Sequence, residues 1–248
     1  MKTAQLRLPT AASLFRRGWA AALVTGLAVL GTGAPARADT TFAQFDEGSN
    51  GGTQPFRFTF NGPGASFTAT TVGNFQFLVP GTVITPQPAN IVLTSTATTP
   101  AVAAGPVLSQ PINGASNTLS FRRVSDNANL LTVTFTGNLT GLNGDVSATL
   151  SANTANGQTV TYTSDFFNFA GTTSRSLGLN VTAITPDFTQ NANGFLNNFV
   201  ADATGGFSSS PAPVLTRPVP EPGSVVLFGI GLSASALVAA RRGRALRV

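Results

Sequence analysis

Protein chemistry needs side chains that exchange protons or electrons, and this 248-residue chain has few of them. It contains no histidine and no cysteine, and its single lysine is Lys2. Those absences remove the Ser-His-Asp triad, thiol catalysis, disulfides, zinc ribbons, Schiff-base chemistry and a P-loop lysine. Carboxylate chemistry is what remains. Asp126 and Asp145 are the kind of pair a fold would have to gather for a retaining glycosidase, whose carboxyl groups stand about 5–5.5 Å apart. Asp126-Asn127-Ala128-Asn129 places oxygen ligands in one loop, but it lacks the glycine and distal glutamate of a calcium loop and reads as an Asx turn. The sequence therefore assigns no catalytic, cofactor-binding or metal-binding residue, and the chain is expected not to be an enzyme. A hydrolase built on carboxylates alone is the lesser alternative.

The distribution of charge explains what the chain does have. The formal net charge is +5, yet ten of the 14 cations lie in residues 1–38 and 217–248. Between them, Arg57, Arg122, Arg123 and Arg175 face eight acids, which leaves −4 over residues 39–216. Arg122 and Arg123 fall on opposite faces of an alternating segment and form no basic patch. Nucleic acid is accordingly not an expected partner.

Each basic end has the grammar of a membrane-directed segment. Lys2, Arg7, Arg16 and Arg17 precede an apolar run over residues 18–33, and Ala36-Arg37-Ala38 sets small residues at the −3 and −1 positions of a cleavage site. Residues 1–38 are thus expected to be a signal peptide removed by signal peptidase between Ala38 and Asp39. Arg16-Arg17 raises the twin-arginine route, but Gly18-Trp19-Ala20 does not continue that motif, so the general secretory route is favoured. At the other end, Val219-Pro220-Glu221-Pro222 leads into the 18 uncharged residues 223–240. At about 1.5 Å per residue they span roughly 27 Å, enough for a bilayer core. Arg241, Arg242 and Arg244 follow as a stop-transfer cluster that stays cytoplasmic.

The order Pro-Glu-Pro, short apolar helix, arginine cluster and chain end resembles the PEP-CTERM sorting signal of Gram-negative bacteria, over residues 219–248. The resemblance implies processing by exosortase, a membrane-embedded cysteine transpeptidase. Val219, Pro220, Glu221 and Pro222 would then be the sorting motif another enzyme reads, and the two prolines would keep it extended for a protease groove. It implies transient anchoring in the inner membrane, followed by delivery to the cell surface or an extracellular matrix, with exopolysaccharide as the associated polymer.

The segment between the ends must be the delivered domain. Alternation at period two recurs over residues 56–60, 66–72, 74–79, 91–96, 118–124, 131–136, 145–150, 159–163 and 177–184, with a last strand region over 195–207. Asn61-Gly62, Asn143-Gly144 and Asn156-Gly157 supply hairpin-type turns. The expected fold is all-β, an antiparallel β-sandwich of Ig-like or jelly-roll type over residues 39–203. A Ser/Pro-rich spacer over residues 204–218 is expected to link it to the sorting segment, and residues 82–88 and 97–111 read as Pro-rich loops. An outer-membrane barrel is the alternative fold, disfavoured by short strands and the absence of an aromatic girdle. Seventeen of the 19 phenylalanines fall in residues 39–216 and are expected to form the core. The opposite faces carry Thr, Ser, Asn and Gln, which suits a polysaccharide-rich setting. A carbohydrate-binding module is the main functional alternative, weighed against by the lack of Trp and the single Tyr162 in the domain.

Overall fold

The computed structural model describes residues 39–47, 53–79 and 85–216, all in the second of two units into which the chain divides after Ala38. The signal-peptide segment and its Ala36 and Ala38, the sorting motif from Val219 to Pro222, the transmembrane segment 223–240 and the arginines at 241, 242 and 244 lie outside the described residues.

Alternating side chains make extended backbone the one conformation that separates an apolar face from a polar face at every step. The chain accordingly forms β1 (Thr40–Asp46), β2 (Phe56–Phe60), β3 (Ala65–Phe77), β4 (Gln87–Ala97), β5 (Val102–Ala104), β6 (Val107–Ile112), β7 (Thr118–Arg123) and β8 (Asn129–Phe135). β9 (Gly137–Leu142), β10 (Ala148–Asn153), β11 (Val160–Thr163), β12 (Phe167–Asn168), β13 (Ser174–Thr185), β14 (Phe199–Ser210) and β15 (Val214–Leu215) follow. Among the described residues no α-helix occurs, and a single 3₁₀ turn lies at Thr154–Asn156. In β4, Ala89, Ile91, Leu93, Ser95 and Ala97 are buried while the residues between them are exposed or half-buried.

All pairings are antiparallel. Thirteen strands form one continuous sheet, twelve of them in the order β11-β8-β7-β4-β3-β1-β14-β13-β10-β9-β6-β5 and the thirteenth, β2, paired with β3 and β14; β12 pairs with β15 separately. The two sheets expected of a sandwich are therefore joined in one, which covers its own apolar face by folding over. Phe45 of β1, Phe75 of β3, Phe121 of β7 and Phe207 of β14 meet with ring centroids 4.9–6.3 Å apart. Edge strand β11 is drawn onto the middle of the sheet: the Tyr162 hydroxyl donates to the carbonyls of Ser176 and Ser208, and Arg175 Nη1 donates to Val160 O at 3.5 Å. Near the other edge, buried Asn117 accepts from Thr96 N at 2.9 Å and donates to the carbonyls of Ile112 and Phe135, which ties β4, β6 and β8 together. All but two of the domain's seventeen phenylalanines are buried; Phe60 and Phe166 are half-buried against the same core.

β1 and β2 lie end to end between β3 and β14. β2 pairs with Ala65–Thr68 of β3 and Phe199–Ala201 of β14, and β1 pairs with Asn74–Phe77 of β3 and Thr204–Ser209 of β14. The two runs expected at 66–72 and 74–79 are one strand, because Gly73 stays extended and pairs with Ala89. Asn61-Gly62 and Asn143-Gly144 do turn hairpins, each glycine having positive φ (91° and 85°). Asn156-Gly157 does not: β10 pairs with β9 and β13, while β11 pairs with β8, so the turn is a crossover. Asp145–Ser147 belongs to the turn before β10 rather than to the strand, and the segment 97–111, read as loop, contains β5 and all of β6 but Ile112.

The expected spacer at 204–218 is corrected most sharply. Residues 204–210 are the second half of central strand β14, with Phe207 and Ser209 fully buried. Their small side chains are required by packing. A Cβ on Gly205 would stand 2.7 Å from Gly178 O and 2.8 Å from the Phe45 ring. Gly178, by contrast, faces open space on the outer face. Gly205→Val is expected to lower stability by about 2 kcal/mol through overpacking. Gly178→Val should raise it by roughly 0.5–1 kcal/mol by stiffening a strand interior. Urea denaturation of the two variants measures both signs.

Candidate functional site

The acids singled out in the sequence are each occupied locally. Arg123, at the end of β7, grips Asp126 through Nε and Nη2 at 2.8 and 2.7 Å, and its guanidinium sits 5.0 Å over the Phe166 ring. Asp126 Oδ1 also accepts from Ala128 N at 3.2 Å, closing an Asx turn through Asn127 at φ 58°. The Arg123 bonds hold the Asp126 carboxyl below its ordinary range. With both oxygens engaged by a cation and a backbone N–H, this loop is a turn, not a calcium loop. Asp145 spends its oxygens on Val146 N at 2.7 Å and the Ser147 hydroxyl at 3.2 Å. The structure thus gives Asp126 and Asp145 separate partners. Asp39, the expected first residue of the processed chain, accepts from the hydroxyls of Ser174 and Ser176 at 3.2 and 3.3 Å. Among the described residues no group of three acids is placed to hold a metal ion.

The carboxyl pair that the fold does assemble is Glu47 with Asp202. β1 carries Phe45 inward, and strand parity sends Glu47 to the same side, where it is 4% exposed. Asp202 lies on β14 between the stretches that pair with β2 and β1, so the two acids meet where the line of those strands is broken. Gly73 makes room for the chain there, since a Cβ on it would come within 2.6 Å of Glu47 Cα. The Glu47 carboxyl bonds to the Asp202 side chain and to the Ala203 backbone N–H. Burial, then the Asp202 hydrogen bond and the nearby Asp202 and Asp46 charges, raise its pKa from 4.5 to about 8, against the opposing pull of Ala203 N–H. A retaining glycosidase sets its two carboxyls about 5–5.5 Å apart on either side of a sugar, whereas Glu47 is buried in the domain interior. No strand is expected over residues 40–46 from the sequence, so Glu47 is missed there as an inward residue, and no local spacing links it to Asp202.

The same pair fixes a pH dependence. Folding raises the affinity of Glu47 for its proton, so the stabilisation is complete below about pH 4.5 and is lost as the pH rises to about 8. The slope from this one group cannot exceed about 1.4 kcal/mol per pH unit. Glu47→Gln, which keeps the shape of the protonated acid, should flatten that slope between pH 5 and 8. Denaturation midpoints across this range (about three pH units) check it.

No curated protein and no solved structure matches the chain. One family model does, described as the PEP-CTERM protein-sorting motif, and its match covers residues 218–244. Those residues contain Pro220, Glu221, Pro222 and the arginines at 241, 242 and 244, so the chain carries a PEP-CTERM sorting signal behind its β domain.

Proposed function

We propose that this chain is a non-enzymatic exported protein, anchored transiently in the inner membrane by residues 223–240, processed by exosortase near Val219–Pro222, and delivered to the cell surface or an exopolysaccharide-containing matrix. The observation that carries the reading is the sorting-motif match at residues 218–244. The rest of the molecule is compatible with it. The last strand of the domain, β15, ends at Leu215, which leaves only Thr216 to Pro218 before the sorting segment. The domain stays folded without disulfides or bound metal ligands from cysteine or histidine, because the chain has neither residue, so its stability does not depend on the redox state of the compartment it reaches.

In this reading, Pro220, Glu221 and Pro222 are substrate residues, and Arg241, Arg242 and Arg244 hold the tail on the cytoplasmic side until cleavage. Signal peptidase would act earlier, between Ala38 and Asp39. Mass spectrometry of the protein from host cells with and without exosortase tests the proposal. The expected result is a chain shortened near residue 222 only where exosortase is present, and a full-length tail when Glu221→Ala is introduced. A tail that persists identically with and without the enzyme overturns it.

A further inference from the structure

The connection from β13 to β14 carries isolated bridges but no continuous strand, yet it is held in place by side-chain amides. Gln110, fully buried, accepts from Leu196 N at 3.3 Å. Asn191 Oδ1 accepts from Asn193 N and Phe195 N at 2.9 and 3.2 Å, and its Nδ2 donates to Leu196 O at 3.3 Å. Gln190 Nε2 donates to Gly194 O at 2.7 Å and Ala101 O at 3.2 Å. At the end of β2, the Phe60 ring packs 5.2 Å from Phe195, and Asn198 Oδ1 accepts from Phe60 N at 2.7 Å. A loop fixed by this many bonds is preorganised, so a ligand would not have to order it.

Between this loop and the end of β2 runs an open groove of about 600 Å³. Phe60 and Pro186 supply an apolar wall, and Thr189, Asn193, Asn197 and Asn198 supply hydroxyl and amide groups. No acid or base lines it. Asn198 uses its oxygen on Phe60 N, and Asn197 uses its Nδ2 on Thr189 Oγ1 at 2.8 Å. Among the described residues, the Asn198 NH₂, the Asn197 Oδ1 and the whole Asn193 amide are left for a ligand. A sugar ring matches that surface: its C–H face sits on an aromatic or proline surface, and each hydroxyl both donates and accepts, as an amide does. A polyanion does not match, since no cation lines the groove and the domain itself carries −4.

We propose that this groove binds a segment of neutral polysaccharide, with a sugar ring over Phe60 and Pro186 and its hydroxyls on the amides of Asn193, Asn197 and Asn198. The groove is part of the β domain whatever becomes of the C-terminal tail, so failure of the sorting experiment would leave this proposal standing, and the reverse. Isothermal titration of the full chain, kept in a detergent without sugar headgroups, with neutral glucan and mannan oligosaccharides and a polyuronate of equal length tests it. The native chain should bind a neutral oligosaccharide and not the polyuronate. Asn193→Ala should weaken that binding about tenfold, the loss of one hydrogen bond to a hydroxyl, at an unchanged melting temperature. Phe60→Leu, which keeps an apolar side chain against the core, should weaken it as well. Absence of binding to every neutral oligosaccharide, equal binding of the polyuronate, or an Asn193→Ala affinity equal to the native one each overturns the proposal.

Discussion

Hiding one apolar surface governs this domain. The thirteen hydrogen-bonded strands expose a single continuous inward face, and among the described residues no helix lies across it. The sheet must cover that face with itself, and the side chain that makes this possible is phenylalanine. Rings from β1, β3, β7 and β14 meet in the interior of the folded sheet, each removing a large area from water. Close approach then dictates the small residues. Gly205 lies under the Phe45 ring, and Gly73 lies against the backbone of Glu47. Asn117 and Tyr162 satisfy backbone groups where separate parts of the sheet meet, so the closure leaves those carbonyls bonded.

Much of this was legible from the chain alone, and what was not has a common cause. Strands such as β2, β4, β7, β8 and β11 announce themselves because their apolar residues alternate within a few positions. β6 hides behind Pro111, and β5 is built of valine and alanine with both faces exposed, so neither carries a period-two signal. The Thr204–Ser210 half of β14 was the hardest: its glycines and serines have the composition of a linker, and only contact with Phe45 and Leu179 shows why they must be small. The sorting segment was legible because its signal is entirely local, a motif, an apolar run and a cluster of cations in fixed order. Glu47 and Asp202 stand at the opposite extreme. Each is unremarkable in its own stretch, and they become a unit only through the pairing of β1 with β14.

The chemistry of the molecule follows the same division. Within the domain, charges are held by local bonds, as with Arg123 and Asp126, or paired in the interior, as with Glu47 and Asp202, while ten of the 14 cations lie in the flanking segments 1–38 and 217–248. The groove beside β2 is made from amides, a hydroxyl and a phenyl ring. A surface of this type recognises by hydrogen-bond geometry and shape, and its contacts are insensitive to ionic strength in a way that charge-based contacts are not.

The position of β1 has one more consequence. The first strand of the domain is paired with β14, the last strand of the thirteen-stranded sheet, and the Thr41 and Ser208 hydroxyls meet at 3.0 Å across 167 residues of chain. A sheet joined in this way cannot close its centre while the chain is still arriving from the N-terminal end. β1 must wait for β14, so contacts between distant parts of the chain are made late and folding is slowed accordingly. For an exported precursor that passes a membrane before it folds, that delay is useful: the centre of the sheet stays open until residue 210 has emerged.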